Sequence, residues 1–201
     1  MIGGIDDSNV GRNFKKTDYL LAEVLDIEKL KRNKIDISEE EIMELFIDAT
    51  EQETDKRDGS GYSGKKKRNT VKTQIIVDKK GKVKHLSNSV SGNIHDKKLF
   101  DLSEINDFLL KMKDKINTSG DLGYLGIESI NIPIKKKKNI KLTEKEKKFN
   151  HIFSKKRIIV EHVFSHLKKF NILKNRFRNN LRDYNKIFSI IVGLYNLKFE
   201  E

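Results

Sequence analysis

Asp48 in FIDATEQ, Asp121 in GDLGYLG and Glu161 in RIIVEHVF stand in three different settings along the chain. All three are carboxylates, the oxygen donors that hard dications such as Mg²⁺ and Mn²⁺ prefer. Two carboxylates from strand ends and a third from a helix can hold a pair of such ions around a phosphodiester. A chain with 30 acidic residues offers many such triples, so context must select among them. Asp48 interrupts an apolar run, Asp121 precedes a glycine-rich turn, and Glu161 is embedded among aliphatic residues. Buried acids are costly unless paired or metal-bound.

Rival chemistries fit the same sequence less well. Gly59, Gly64 and Lys65 satisfy GxxxxGK, but Lys66 follows where a hydroxyl for Mg²⁺ is needed. The segment also enters a strand, whereas a phosphate-binding loop opens a helix, so no nucleotide is expected. His162 and His166 share a helix face, yet the order EHVFSH puts the carboxylate outside the pair, unlike a zinc-protease helix. Arg157, one turn before Glu161, can pair with it, orient it or contact phosphate. With no cysteine, disulfides, thiolate catalysis and cysteine zinc sites are excluded, and a reducing cytoplasm suits the chain.

A formal net charge of +12 calls for a polyanionic partner. The charge is concentrated in runs at Lys65–Arg68, Lys79–Lys84, Lys135–Lys138, Lys145–Arg157 and Lys168–Arg182, and several such runs point to a phosphate-binding surface. Lys65, Lys66, Lys67, Arg68, Lys136, Lys137, Arg157, Lys168, Lys169, Arg176 and Arg178 are the candidate contacts to backbone phosphate. No apolar run approaches the roughly 20 residues of a membrane span, and MIGGIDDSNV is no signal peptide.

The elements that must position the acids are read from periodicity. Leu20, Leu21, Val24, Leu25, Ile27 and Leu30 give residues 15–45 a weak helical pattern, followed by Ser38 and Glu41 in capping-box spacing. Glu44–Ala49 reads as a buried strand delivering Asp48, and Thr50–Gly64 as a loop. Asn69–Asp78 and Lys82–Leu86 form a hairpin closed by Gly81. His95–Lys113 carries one broad apolar face and reads as a single helix with Asp96 as its cap. INTSG, leading into Asp121, is a polar and poor strand former, followed by DLGYLG and a short extended SINIPI. Lys135–Lys141 is a basic linker, Thr143 and Glu146 open a helix to about Leu173, and a last helix spans about Asp183–Phe199.

Three strands, a helix, a strand and then helices, with acids on the first strand, the fourth strand and a late helix, follow the plan of a ribonuclease-H-like nuclease. The stretches IDATEQ, YSGKKKRNTVKTQIIVD with KGKV, SGNIHDKKLF, GDLGYLG, IPIKKKK, LTEKEKKFN, RIIVEHVFSHLKKFNILKNRFRN and IIVGLYNL together resemble the catalytic domain of DDE superfamily transposases of bacterial insertion sequences, in family order. The resemblance implies an α/β fold with a ribonuclease-H-like mixed sheet, three antiparallel strands then parallel ones, flanked by helices. It also implies the family's acidic triad at Asp48, Asp121 and Glu161, with two Mg²⁺ or Mn²⁺ ions. Residues 46–201 would be the catalytic domain, and 1–45 a short helical remnant of an N-terminal DNA-binding region. The implied activity is metal-dependent cutting and joining of double-stranded DNA at transposon ends and target, by a homodimer on DNA, in the cytoplasm and without a membrane. The alternative is a truncated or decayed fragment that binds nucleic acid without catalysis.

Overall fold

A computed structural model describes residues 32–37, 43–55 and 61–199 of the chain. Its organising element is β1 (Met43–Glu53). Leu45 and Ile47 pack on one face of the sheet and Phe46 on the other, as a strand covered on both sides requires. β1 runs further than its apolar core suggests. Its pairing with β3 (Arg68–Asp78) continues from Leu45 opposite Asp78 to Glu53 opposite Thr70. Residues 50–53, expected in a loop, are therefore strand, because a long antiparallel partner satisfies their backbone whatever their side chains.

The outer edge of β3 is covered in series. β2 (Gly61–Ser63) pairs with its start, β5 (Val90–Ser91) with Val71 and Lys72, and β4 (Val83–Leu86) with its end. The expected β3–β4 hairpin is present, with Gly81 at φ 88° in its turn, where a side chain would be strained. On the other side, β6 (Ile116–Ser119) joins β1 in parallel and β7 (Ile130–Asn131) joins β6. The order is β2-β3-β1-β6-β7, in a seven-stranded mixed sheet.

Helices cover both faces. The first face carries α3 (Glu144–Leu167), the short α4 (Asn171–Lys174) and α5 (Leu181–Asn196), whose Val160, Val163, Leu167, Ile187, Phe188 and Ile191 pack with Phe46, Ile75 and Val77. The opposite face carries α1 (Asp96–Leu102) and α2 (Asn106–Lys111), where Phe100, Ile105 and Leu109 pack with Leu45, Ile47 and Ile76. The single helix expected over His95–Lys113 is broken at Glu104, which takes φ 58°. Both fragments still present their apolar residues to the sheet, which is why one periodic pattern spans the break. α3 ends at Leu167 instead of about Leu173. Its N-terminal capping box is formed as read, with Glu146 N–H donating to the Thr143 hydroxyl and Thr143 N–H donating to the Glu146 carboxylate.

The architecture is thus α/β, with a ribonuclease-H-like mixed sheet flanked by helices. Of the proposed 1–45 segment, only residues 32–37 and 43–45 are described. They supply a turn, a bridge from Ile35 to His85 and the start of β1. The helical pattern at Leu20–Leu30 and the Ser38–Glu41 box lie outside the described residues. Arg32 anchors its turn by donating to the carbonyls of Ser87 and Asn185. No helix among the described residues is long and apolar enough to cross a membrane.

Candidate active site

Strand register brings Asp48 and Asp121 together. β1 and β6 are parallel, and their last shared rung sets Phe46 opposite Ser119. Asp48 and Asp121 each follow that rung by two residues, so they stand at the same level just past the end of the β1–β6 ladder; Asp48, expected at a strand end, is mid-strand and still paired with Ile75 of β3. This is the carboxyl end of a parallel pair, where open α/β sheets form their crevice. The chain reaches Asp121 through Gly120, where a β-carbon would stand 2.9 Å from Tyr124 and Ile130 and 3.0 Å from Ile47. Asp121 then caps a short turn, Leu122–Tyr124, its Oδ1 accepting from Gly123 N–H at 2.7 Å.

Burial, more than any single neighbour, sets the electrostatics. Asp48 Oδ1 accepts from Ala49 N–H at 2.8 Å, and its Oδ2 is 3.9 Å from Arg157 Nη2. Burial raises its pKa from 3.8 to about 6; Asp121 and Asp96 add to the rise, and the Ala49 hydrogen bond and Arg157 oppose it. Arg157 keeps a buried Nε without a partner. Tyr124 lies beneath the acids with its hydroxyl donating to Gln74 Oε1 at 3.2 Å. Burial pushes that phenol up, as do Asp48, Asp96 and Asp121.

Asp48 and Asp121 line one pocket of about 450 Å³, together with Glu51, Tyr62, Lys72 and Asp96. Sequence reasoning missed Lys72 and Glu51 and misread Asp96. The cap position of α1 is His95, and Asp96 instead accepts from Lys72 Nζ at 2.9 Å. A signal was available: Lys72 shares the sheet face of Gln74 and Ile76, positions that point inward on β3, and a lysine there needs a buried partner.

Glu161 lies outside the lining of this pocket, on an exposed part of α3. Its spacing places it on the same helix face as Arg157 and Lys168. Both neighbours sense Asp48: Arg157 directly, and Lys168 through an ammonium whose pKa burial and Lys66 lower while Asp48 and Glu51 raise it. Among the described residues, no three His, Asp or Glu side chains converge on one cation-sized point.

The basic candidates separate by position. Lys65, Lys66 and Lys67 form the exposed turn between β2 and β3, and Lys65 reaches the acidic pocket. That turn joins antiparallel strands with no helix after it, so it lacks phosphate-loop geometry; Gly59 lies outside the described residues. Lys66, Arg68 and Lys168 border an adjoining cleft. Arg68 also donates to Glu53 at 2.6 Å, and Arg176 pairs with Asp55. Lys136, Lys137, Lys169 and Arg178 are exposed away from the pocket lining. His166 Nδ1 is 2.8 Å from the His162 carbonyl, an interaction within one helix turn.

The donor set fits a hard dication in kind: Asp48 and Asp121 present oxygen at one level, and a cation there would offset the burial that, with Asp121 and Asp96, raises Asp48. Fold and pocket define a ribonuclease-H-like domain with an acidic crevice at the ends of its parallel strands. Residues 43–196 match the DDE superfamily endonuclease family, and the chain belongs to that family. A probable transposase for insertion sequence element IS702, from Microchaete diplosiphon, is 37% identical over 139 residues, covering 67% of this chain and 49% of that protein. The chain therefore spans about half the length of the curated relative it matches. No solved structure matches it.

Proposed function

We propose that this chain carries the catalytic domain of a transposase, a divalent-metal-dependent DNA endonuclease and strand transferase acting on double-stranded DNA in the cytoplasm. The observation that supports this reading best is the shared level of Asp48 and Asp121 just past the end of the β1–β6 ladder. Asp48 and Asp121 would hold two Mg²⁺ or Mn²⁺ ions, with Glu161 as the third carboxylate carried on the α3 face that Arg157 and Lys168 turn toward Asp48. Bound there, the metal supplies activation of a water or 3′-hydroxyl and charge stabilisation at the leaving oxygen. The chain's own contribution is to orient. The Ala49 and Gly123 amides fix one oxygen of Asp48 and of Asp121, Arg157 draws the other Asp48 oxygen toward α3, and the basic turn Lys65–Lys67 receives backbone phosphate at the rim. By analogy with family members, two DNA ends would be held by a homodimer.

A second reading, a nucleic-acid-binding fragment without catalysis, is favoured by one observation: Glu161 stands off the pocket that Asp48 and Asp121 line. Metal dependence separates the two. Nicking of supercoiled plasmid in Mg²⁺ or Mn²⁺ should disappear in Asp48→Asn and in Asp121→Asn, while DNA affinity stays equal or rises slightly because a negative charge is lost. Nicking that persists in Asp48→Asn rejects the assignment, and a wild-type protein that binds DNA but never nicks it supports the second reading.

A further inference from the structure

Lys72 is buried, 8% exposed, and its ammonium is fully engaged. Nζ donates to the Ile94 carbonyl at 2.7 Å and to Asp96 Oδ1 at 2.9 Å, and it stands 3.6 Å from Glu51 Oε1. Glu51 is held at its other oxygen too, where Oε2 accepts from the Thr70 hydroxyl at 2.9 Å. The pocket therefore contains four carboxylates of two kinds. Glu51 and Asp96 are tied to a lysine, whereas among the described residues Asp48 and Asp121 are tied only to neighbouring amides and, for Asp48 at 3.9 Å, to Arg157.

Asp96 is close enough to compete with the second pair. A β-carbon built on Gly123 would be 2.8 Å from Asp96 Oδ2 and 2.8 Å from Asp121 Oδ1, so the two carboxylates meet across that glycine. A lysine is expensive to bury, and an apolar residue at this inward strand position would fold at less cost. Its placement instead satisfies one carboxylate that faces the metal-binding pair and another that lines the same pocket.

We propose that Lys72 is a positioning residue: by engaging Asp96 and Glu51 it withholds them from the cation and leaves Asp48 and Asp121 as the pocket's open ligands. This rests on the metal-binding reading above. Freed of Lys72, Asp96 turns toward Asp121 and joins the cation's ligand set, adding one donor and removing one opposing charge.

Mn²⁺ binding to the full chain, without DNA, tests it by calorimetry and by the paramagnetic resonance of the bound ion. Lys72→Met should bind Mn²⁺ about tenfold or more tightly, with an altered resonance line shape, since a unit charge at this range is worth that much in a partly buried site. Lys72→Arg should match wild type. Adding Asp96→Asn to Lys72→Met should return affinity to within about threefold of wild type, because both members of the pair are then gone. A purely structural lysine would lower the melting temperature without this reversal.

Unchanged or weaker binding in Lys72→Met, or no reversal by Asp96→Asn, overturns the proposal. So does loss of binding in Asp96→Asn alone, which would make Asp96 itself a ligand. Should Lys72→Met fail to fold, the Asp96→Asn single variant decides, because Lys72, left with Glu51 as its one carboxylate partner among the described residues, adds net positive charge to the pocket and should weaken binding several-fold without abolishing it. Asp48→Asn separates this idea from its foundation. If that variant loses Mn²⁺ while Lys72→Met behaves as wild type, only the role of Lys72 falls; if wild type shows no saturable binding, the metal reading falls and takes this inference with it.

Discussion

Asp48 is asked to be buried and charged at once. Without metal, burial and the acids around it raise its pKa from 3.8 to about 6. Between those values the folded protein holds a proton that the unfolded chain has lost, so apo stability falls as pH rises through the window and remains reduced above it. Asp48→Asn removes that penalty. In chelator at pH 8 the variant should be more stable than wild type by about 1–3 kcal/mol, the worth of a shift this size in a site that is still partly solvated. Urea melts should show the difference shrinking as pH falls from about 6 toward 3.8 and vanishing only below it, where both states of the wild-type carboxyl are protonated. Saturating Mg²⁺ should reverse the ranking by stabilising wild type alone; a variant less stable than wild type in chelator at pH 8 would contradict the raised pKa. Asp48 and Asp121, which the structure sets in one pocket, stand out in the sequence because each breaks a local pattern, one an apolar strand and the other a turn. Lys72 breaks a pattern equally, but its partners Glu51 and Asp96 come from a strand and a helix start that only the sheet brings together.

At the scale of elements, the site depends on the β1–β6 register, and Gly120 is where that register can be tested. A methyl there meets the buried side chains of Ile47, Tyr124 and Ile130 within 3.0 Å, so they must shift to admit it. Gly120→Ala should lose about 1–3 kcal/mol through overpacking and also weaken Mn²⁺ binding, because it moves the segment carrying Asp121. Thr143→Ala is the contrast: losing the capping box at the far end of α3 should cost about 1 kcal/mol and leave Mn²⁺ affinity unchanged. Chemical denaturation and calorimetry on the two variants check both halves, and equal metal loss in both would deny that register sets the site. The same elements show what sequence could reveal. Alternation marked β3 and the hairpin to β4, and Thr143 with Glu146 marked the start of α3, because those signals are local. β6 was faint because its Thr118 and Ser119 are polar yet buried, and the strand is fixed by pairing between β1 and β7. The break at Glu104 left the apolar period intact, and β2 and β5 are too short to carry a period at all.

Across the whole molecule, the excess of positive charge forms surfaces of different value, and the structure ranks candidates that composition treats alike. Lys65, Lys66 and Lys67 project from one exposed turn, with Lys65 lining the acidic pocket and Lys66 the adjoining cleft, so a duplex that presents a phosphodiester to Asp48 and Asp121 is expected to lie across that turn. Arg176 is already committed to Glu53 and Asp55, which discharges much of its attraction for phosphate. Each phosphate contact contributes about 0.9 to the slope of log affinity against log salt. Replacing all three turn lysines with glutamine should therefore flatten that slope by about 3. Arg176→Gln, by contrast, should change it by less than about 0.5. Fluorescence anisotropy of a labelled duplex across a salt series, in chelator so that nothing is cut, measures both. Equal flattening by the two changes would mean that binding follows net charge alone; flattening confined to the turn would place the duplex across the crevice.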